Sequence, residues 1–177
     1  MTELSQTQFR AALGRFPTGV AIATAISEGE RLGLTISSFN SVSLSPPLVL
    51  FSIARSALSF PAWCKAKHFA INVLEENQQD LSTRFATART AKWGGMSIIQ
   101  GTTGAPLIAN ALVSLECAAY ARYEGGDHEI FIGRVLDFRL RDTADSRPLV
   151  FHCGRYRRLD TAQARGDPAD FLFLHGW

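Results

Sequence analysis

Leu32 to Ile53 reads LGLTISSFNSVSLSPPLVLFSI, and its pattern changes twice. Leu32, Leu34 and Ile36 alternate with Gly33, Thr35 and Ser37, the period of a half-buried strand. The alternation then stops. Ser37, Ser38, Asn40, Ser41, Ser43 and Ser45 supply short donors and acceptors, and Pro46-Pro47 fix an extended exit into Leu48-Val49-Leu50-Phe51. The expectation is a strand, a hydroxyl-rich loop from Thr35 to Ser43, and a second strand. Such a wall suits a flat, polar, phosphate-bearing ligand, met by hydroxyls and backbone N–H groups rather than by many full charges. Serine-rich loops before prolines are more often plain surface connections, so composition alone favours that reading.

Upstream, Ser5-Gln6-Thr7-Gln8 has the form of a capping box, and Phe9, Leu13 and Phe16 follow at helical spacing, which predicts a helix from about Gln6 to Arg15. Val20, Ile22 and Thr24 start a strand, and Ser27-Glu28-Gly29-Glu30 reads as a hairpin turn. Downstream, Ser56 is placed to cap a short helix through about Cys64, whose free N–H groups would seat a phosphate. His68 to Leu74 is a strand, and Glu75 to Ala86 an amphipathic helix with Leu81 and Phe85 four apart. Odd positions from Val113 to Tyr123 are apolar, with Glu116 and Arg122 on the other face; after Gly125-Gly126-Asp127-His128 turns the chain, Ile130, Ile132, Leu136 and Phe138 line one side of the return. Leu149 to His152 and Arg155 to Leu159 pair around Gly154. Strands outnumber helices without regular strand-helix alternation, so a mainly β fold, a closed antiparallel barrel with flanking helices, is expected rather than a doubly wound parallel sheet.

At 177 residues the chain is expected to be one domain, with a core at about 9–159 and a C-terminal tail at 160–177 whose apolar end, Phe171 to Trp177, should dock on the body or on a second subunit. A net charge of +2 and the lack of a basic stripe with interleaved aromatics argue against nucleic acid. Cys64, Cys117 and Cys153 are far apart and the histidines lack ligand spacing, so neither a disulfide frame nor a metal site is expected. No apolar run is long enough for a membrane span and the N-terminus has no leader pattern, which predicts a cytoplasmic protein.

The wording G-x-T-x-S-S-x-x-S-V-S-x-x-P-P-L from Gly33 to Leu48, together with F-R-x-A-L-G-x-F-x-T-G-V from Phe9 to Val20, resembles the flavin reductase family, the reductase partners of two-component flavin monooxygenases. The resemblance covers roughly Phe9 to Leu159. It implies the FMN-binding split β-barrel, a Greek-key barrel that dimerises with flavin near the interface. It implies transfer of a hydride from NADH or NADPH to FMN or FAD, and delivery of reduced flavin to a separate oxygenase. The flavin-contacting positions it implies are Leu34, Thr35, Ser37, Ser38, Ser41, Ser43, Ser52, Ile53, Arg55, Ser56, Ser59, Arg84, Phe85 and Lys92, with Tyr156 flanking the flavin or dinucleotide.

Read alone, Arg55, Arg84 and Lys92 are ordinary surface charges, Tyr156 a barrel-end aromatic, and His128 an exposed turn residue. The G-D-H segment ahead of Ile130-Phe131-Ile132-Gly133-Arg134-Val135 resembles the part of the family that faces the nicotinamide, which implies that His128 is both a flavin-site residue and the catalytic one, positioning the reduced dinucleotide. His152 beside Cys153 is not expected to form a nucleophile-base pair, because neighbouring strand residues point to opposite faces. A reductase of another acceptor on the same barrel, such as a corrinoid or a ferric complex, a flavin-binding module without turnover, and a barrel used only for assembly are the rival readings.

Overall fold

The computed structural model describes residues 5–88, 91–141 and 146–159. The chain runs through α1 (Gln6–Leu13), β1 (Thr18–Gly19), β2 (Ala21–Ser27), β3 (Glu30–Ile36), β4 (Asn40–Leu44), β5 (Pro47–Ala54), α2 (Phe60–Trp63) and β6 (His68–Val73). It continues through α3 (Gln79–Ala86), β7 (Ile98–Gln100), β8 (Pro106–Ile108), β9 (Val113–Gly125), β10 (His128–Leu140), β11 (Val150–His152) and β12 (Arg155–Arg157). Seven strands form one antiparallel sheet in the order β3-β2-β6-β9-β10-β5-β4.

β3 and β4 are consecutive in the chain yet stand at opposite edges of that order. The three residues 37–39 that join them reach at most about 14 Å, whereas the edges of a flat seven-stranded sheet would lie about 29 Å apart. The sheet therefore rolls until its edges meet. No ladder joins β3 to β4 among the described residues, so the barrel is split, where the sequence pattern suggested a closed one. Ser38 fixes the seam: its hydroxyl accepts from the Ser52 N–H at 3.0 Å and donates to the Ser52 carbonyl at 3.3 Å.

Inward residues fill the barrel: Val49, Phe51 and Ile53 of β5, Ala21, Ala23 and Ala25 of β2, Phe69 and Ile71 of β6, Cys117 of β9 and Phe131 of β10. Phe51 stacks on Phe131 at 5.3 Å and meets Phe69 and Trp63 edge-on. A second apolar cluster, with Val20, Ile22, Leu74, Phe85, Ile108 and Leu149, packs α3 and the segment before β11 on the outer face.

Several sequence expectations are corrected. The predicted hydroxyl-rich loop shrinks to residues 37–39, because Asn40–Leu44 pairs with β5 as an edge strand. α1 stops at Leu13, capped at its start by Ser5, whose hydroxyl accepts from the Gln8 N–H. Ser56 does not cap a helix: it lies in a turn, and the helix is only Phe60–Trp63, preceded by Ser59. The inward side of β10 carries Phe131 and Gly133, while Leu136 and Phe138 are 54% and 63% exposed. Phe51 offers Phe131 a stacking partner, and a Cβ on Gly133 would strike the Phe69 ring. Glu116, expected on the polar face with Arg122, is fully buried, because the loop at 101–105 folds over it and Thr103 donates both its N–H and its hydroxyl to Oε2 at 2.8 Å. The tail expectation at 160–177 lies outside the described residues. No helix among the described residues is long and apolar enough to cross a membrane.

Asn72 ties the outer layer to the sheet. Its amide donates to the Ile22 carbonyl and the Thr24 hydroxyl, and its oxygen accepts from the Ile108 N–H and the Ser114 hydroxyl. Replacing it with leucine strands several buried polar groups, so Asn72→Leu should lose about 3 kcal/mol or more of unfolding free energy. Denaturant unfolding checks this, with a lowered midpoint at unchanged slope as the expected outcome.

Candidate functional site

A cleft of about 710 Å³ runs along the outer edge of β3, between residues 57–59 of the β5–α2 connection and residues 91–94 beyond α3. Its lining includes Leu34, Thr35, Ser59, Phe85 and Lys92, gathered from three separate stretches of the chain. β3 pairs only with β2, so Arg31, Gly33 and Thr35 turn their N–H and C=O groups toward the cleft. Two of these carbonyls are taken: the Trp93 indole N–H donates to Arg31 O at 3.2 Å and Lys92 Nζ to Gly33 O at 3.1 Å. Lys92 also donates to Phe85 O at 2.9 Å, which leaves one of its three N–H donors for a ligand. Partial burial pulls the Lys92 ammonium below its ordinary value.

Gly33 is required for this packing. A Cβ there would overlap the Phe85 ring and press on Trp93, which lie against each other edge to face at 5.0 Å. The Phe85 side chain is thus a buried wall whose outer surface borders the cleft. Thr35 donates its hydroxyl to the Ser82 carbonyl at 2.6 Å, and the Ser82 hydroxyl meets Tyr156 Oη at 2.9 Å, so Tyr156 supports the cleft from behind through α3. Arg84 donates to the Gly94 carbonyl at 3.1 Å and so holds the glycine loop that forms one rim.

Other residues predicted from the sequence lie elsewhere. Ser41 and Ser43 are on the β4 edge, Ser37 is exposed beside the seam, Ser38 is committed to Ser52, and Ser56 sits in the exposed turn. Ile53 points into the barrel core at 1% exposure, so only its backbone is available to a ligand. Arg55 is engaged by Glu129 at 2.8 Å and Glu124 at 3.1 Å, contacts that raise its pKa further.

His128 opens β10 opposite Ala54, three residues before the segment that lines the cleft. Its Nδ1 lies 2.7 Å from Asp127 Oδ1, and this contact holds the Asp127 carboxyl below the usual carboxylate range. An ionised carboxylate only accepts, so Nδ1 donates to it, which fixes the ring and leaves Nε2 as the nitrogen not engaged by Asp127. Arg31, Trp93, residues 57–58 and Gly94 were missed by the sequence reading. The available signal was K-W-G-G at 92–95, a large aromatic set in a glycine loop beside a lysine.

Residues 13–160 match the family described as Flavin reductase like domain. The chain belongs to the flavin reductase family. An FMN reductase (NADH) of Agrobacterium fabrum is 42% identical over 150 residues, covering 85% of this chain and 84% of that protein. An NADH-dependent FAD reductase of Streptomyces globisporus is 39% identical over 164 residues, with 85% and 84% covered. The crystal structure of a nitrilotriacetate monooxygenase component B homolog from Mycobacterium thermoresistibile superposes with a TM-score of 0.87 at 33% identity, covering 92% of this chain and 90% of that one. For a member of the flavin reductase family the cleft is chemically apt: it has flat apolar walls, free edge-strand N–H groups, an ammonium and a serine hydroxyl, and no carboxylate in its lining.

The geometric ground for setting aside a His152–Cys153 pair does not hold. Cys153 is in a turn at φ +51° rather than in a strand, and its Sγ lies 3.4 Å from His152 Nε2. Cys117 is the opposite case: burial, with the neighbouring Glu116 charge adding to it, pushes its thiol up to about 12. Such a thiol is ionised in only about one molecule in ten thousand at pH 8, so a brief exposure of the native protein to a thiol reagent should modify Cys153 and spare Cys117. Mass spectrometry of the peptides reads the outcome, and equal labelling would mean that the barrel opens freely.

Proposed function

We propose that this chain is an NADH- or NADPH-dependent flavin reductase, a single domain that reduces FMN or FAD and releases the product to a separate oxygenase. The observation that carries the reading is the cleft on the β3 edge, which collects Leu34, Thr35, Ser59, Phe85 and Lys92 from segments distant in sequence. A bound flavin supplies the redox chemistry itself, by accepting a hydride on its ring and passing electrons on. The protein's task is to hold, orient and shield. Edge N–H groups of Gly33 and Thr35 serve ring acceptors, and Lys92 with Ser59 serves the phosphate. His128, oriented by Asp127, offers Nε2 to the carboxamide N–H₂ of a nicotinamide lying across the β5–α2 connection. Arg55 keeps the β9–β10 turn in place beside it, its own N–H donating to Asp127 O at 2.9 Å.

We infer a homodimer of this protein in the cytoplasm. Support for the dimer comes from apolar side chains left in the open: Phe9, Leu13 and Phe16 on and after α1, and Tyr120, Leu136, Phe138 and Leu140 on the β9–β10 hairpin. Similarity to a monooxygenase component supports a separate oxygenase as recipient of the reduced flavin.

His128→Ala should leave flavin affinity within a few-fold and cut NADH oxidation on the order of a hundredfold, since about 1 Å of donor misplacement costs that much. His128→Asn should retain more activity than His128→Ala, because its amide restores an acceptor. Flavin titration and steady-state NADH oxidation check both, and an Ala variant as fast as the parent at low and high NADH would remove His128 from the reaction.

The Lys92 charge gives a pH test. Its pKa is depressed by burial, so on raising the pH the ammonium is lost before the ordinary lysine value of 10.5 is reached. Affinity for FMN should therefore fall as pH is raised toward 10.5, earlier than an ordinary lysine would cause, and Lys92→Met should bind weakly with that slope removed. A parallel decline in parent and variant would show that Lys92 does not meet the phosphate.

A further inference from the structure

We propose that Arg31 and Trp93 form a subsite for the adenylate half of a flavin dinucleotide, and so bias this site toward FAD over FMN. The inference rests on the reading of the cleft as the flavin site and concerns the end of it that a mononucleotide does not need. Relatives of the chain divide between the two flavins, so the family alone does not assign one.

The cleft follows β3 from Thr35 to Arg31, roughly 13 Å at the rise of an extended strand. Lys92 sits midway, bonded to the Gly33 carbonyl, and is sufficient to meet one phosphate. Beyond it lies a second cation, the Arg31 guanidinium, 6.0 Å over the Trp93 ring. No ion pair among the described residues uses Arg31, in contrast to Arg55, which two glutamates hold. A guanidinium carries five N–H donors, and the cleft lining that includes Arg31 has no carboxylate.

Trp93 is held in place for contact with a ligand. Its indole N–H is fixed to Arg31 O at 3.2 Å, and Phe85 packs against the ring at 90°. A half-buried indole beside an unpaired guanidinium matches two features found together in a dinucleotide and absent from FMN. The second phosphate takes the fork of donors, and the purine takes the aromatic and guanidinium faces. The lining also includes Ala88, Ala91 and Gly94, whose side chains are small.

The experiment is equilibrium titration of the full chain with FMN and with FAD, for the parent and for Arg31→Ala, Trp93→Ala and Trp93→Phe. Stacking and charge-assisted contacts of this kind shift affinity by about tenfold, so Arg31→Ala and Trp93→Ala should each weaken FAD about tenfold more than FMN. Trp93→Phe, which keeps a stacking face, should restore most of the FAD preference, and AMP should compete with FAD more effectively than with FMN. Equal weakening of both flavins would assign the pair a purely structural role and overturn the proposal, as would an unchanged FAD affinity. A parent that binds neither flavin would instead overturn the reading of the cleft itself.

Discussion

The short link between β3 and β4 governs the molecule. Three residues cannot span a flat sheet of this width, so the sheet must curl, and Ser38 locks the curl with paired hydrogen bonds to Ser52. The split that remains leaves β3 with an unpaired edge. An exposed edge normally invites association with other strands. Here Lys92 and Trp93 cap alternate carbonyls of that edge and leave its N–H groups in a cleft, which turns an edge into a surface for acceptor-rich ligands.

Charge is distributed along the same lines. Arg55 is neutralised by Glu124 and Glu129 at the β9–β10 turn, where it serves the geometry around His128. Lys92 is bound only to carbonyls, which orient an ammonium without cancelling it. A partly desolvated cation facing neutral dipoles keeps its field for an incoming anion, whereas the guanidinium between two glutamates has little left to offer. Three basic residues that looked alike in the sequence thus divide by their partners: a cation held by carbonyls, a loop clamp and a turn brace.

Much of the fold was legible because its signals are local. The capping serine of α1, the Glu75–Ala86 helix region, the long β9–β10 hairpin and the strand before Ser37 all follow from periodicity and turn chemistry. The errors arose where distant packing decides. Phe131 rather than Ile130 or Ile132 faces inward because Phe51 stacks on it, and Glu116 is buried because a loop about a dozen residues upstream covers it. The predicted site residues are divided by the fold in the same way: Thr35, Ser59 and Lys92, named from motif wording, line the cleft, while Ser38 is bonded to Ser52 and Ser41 and Ser43 lie on β4. No local pattern shows which hydroxyls the fold consumes. Nor could it show that Arg31 and Trp93, about sixty residues apart, share one rim.

The filled barrel also fixes where a ligand must sit. Phe51, Phe69, Phe131 and Trp63 occupy the interior, so no flat ring enters it, and the cleft with this chemistry lies outside, along the split. A ligand there rests against edge-strand amides and one partly buried cation, with one face toward solvent. Hydrogen bonds to a wet surface contribute little net free energy each, since water competes for both partners. Such a site favours moderate affinity and rapid exchange over permanent retention. Exchange is what a protein needs if its product is a reduced flavin that another enzyme consumes. The same open geometry leaves room for the nicotinamide to approach from the His128 side, because Ala54 opposite His128 and residues 57–59 in the cleft belong to one short connection. On the proposed reading, binding and hydride delivery would meet on the β5–α2 turn, whose position is set by the same rolled sheet that opens the split.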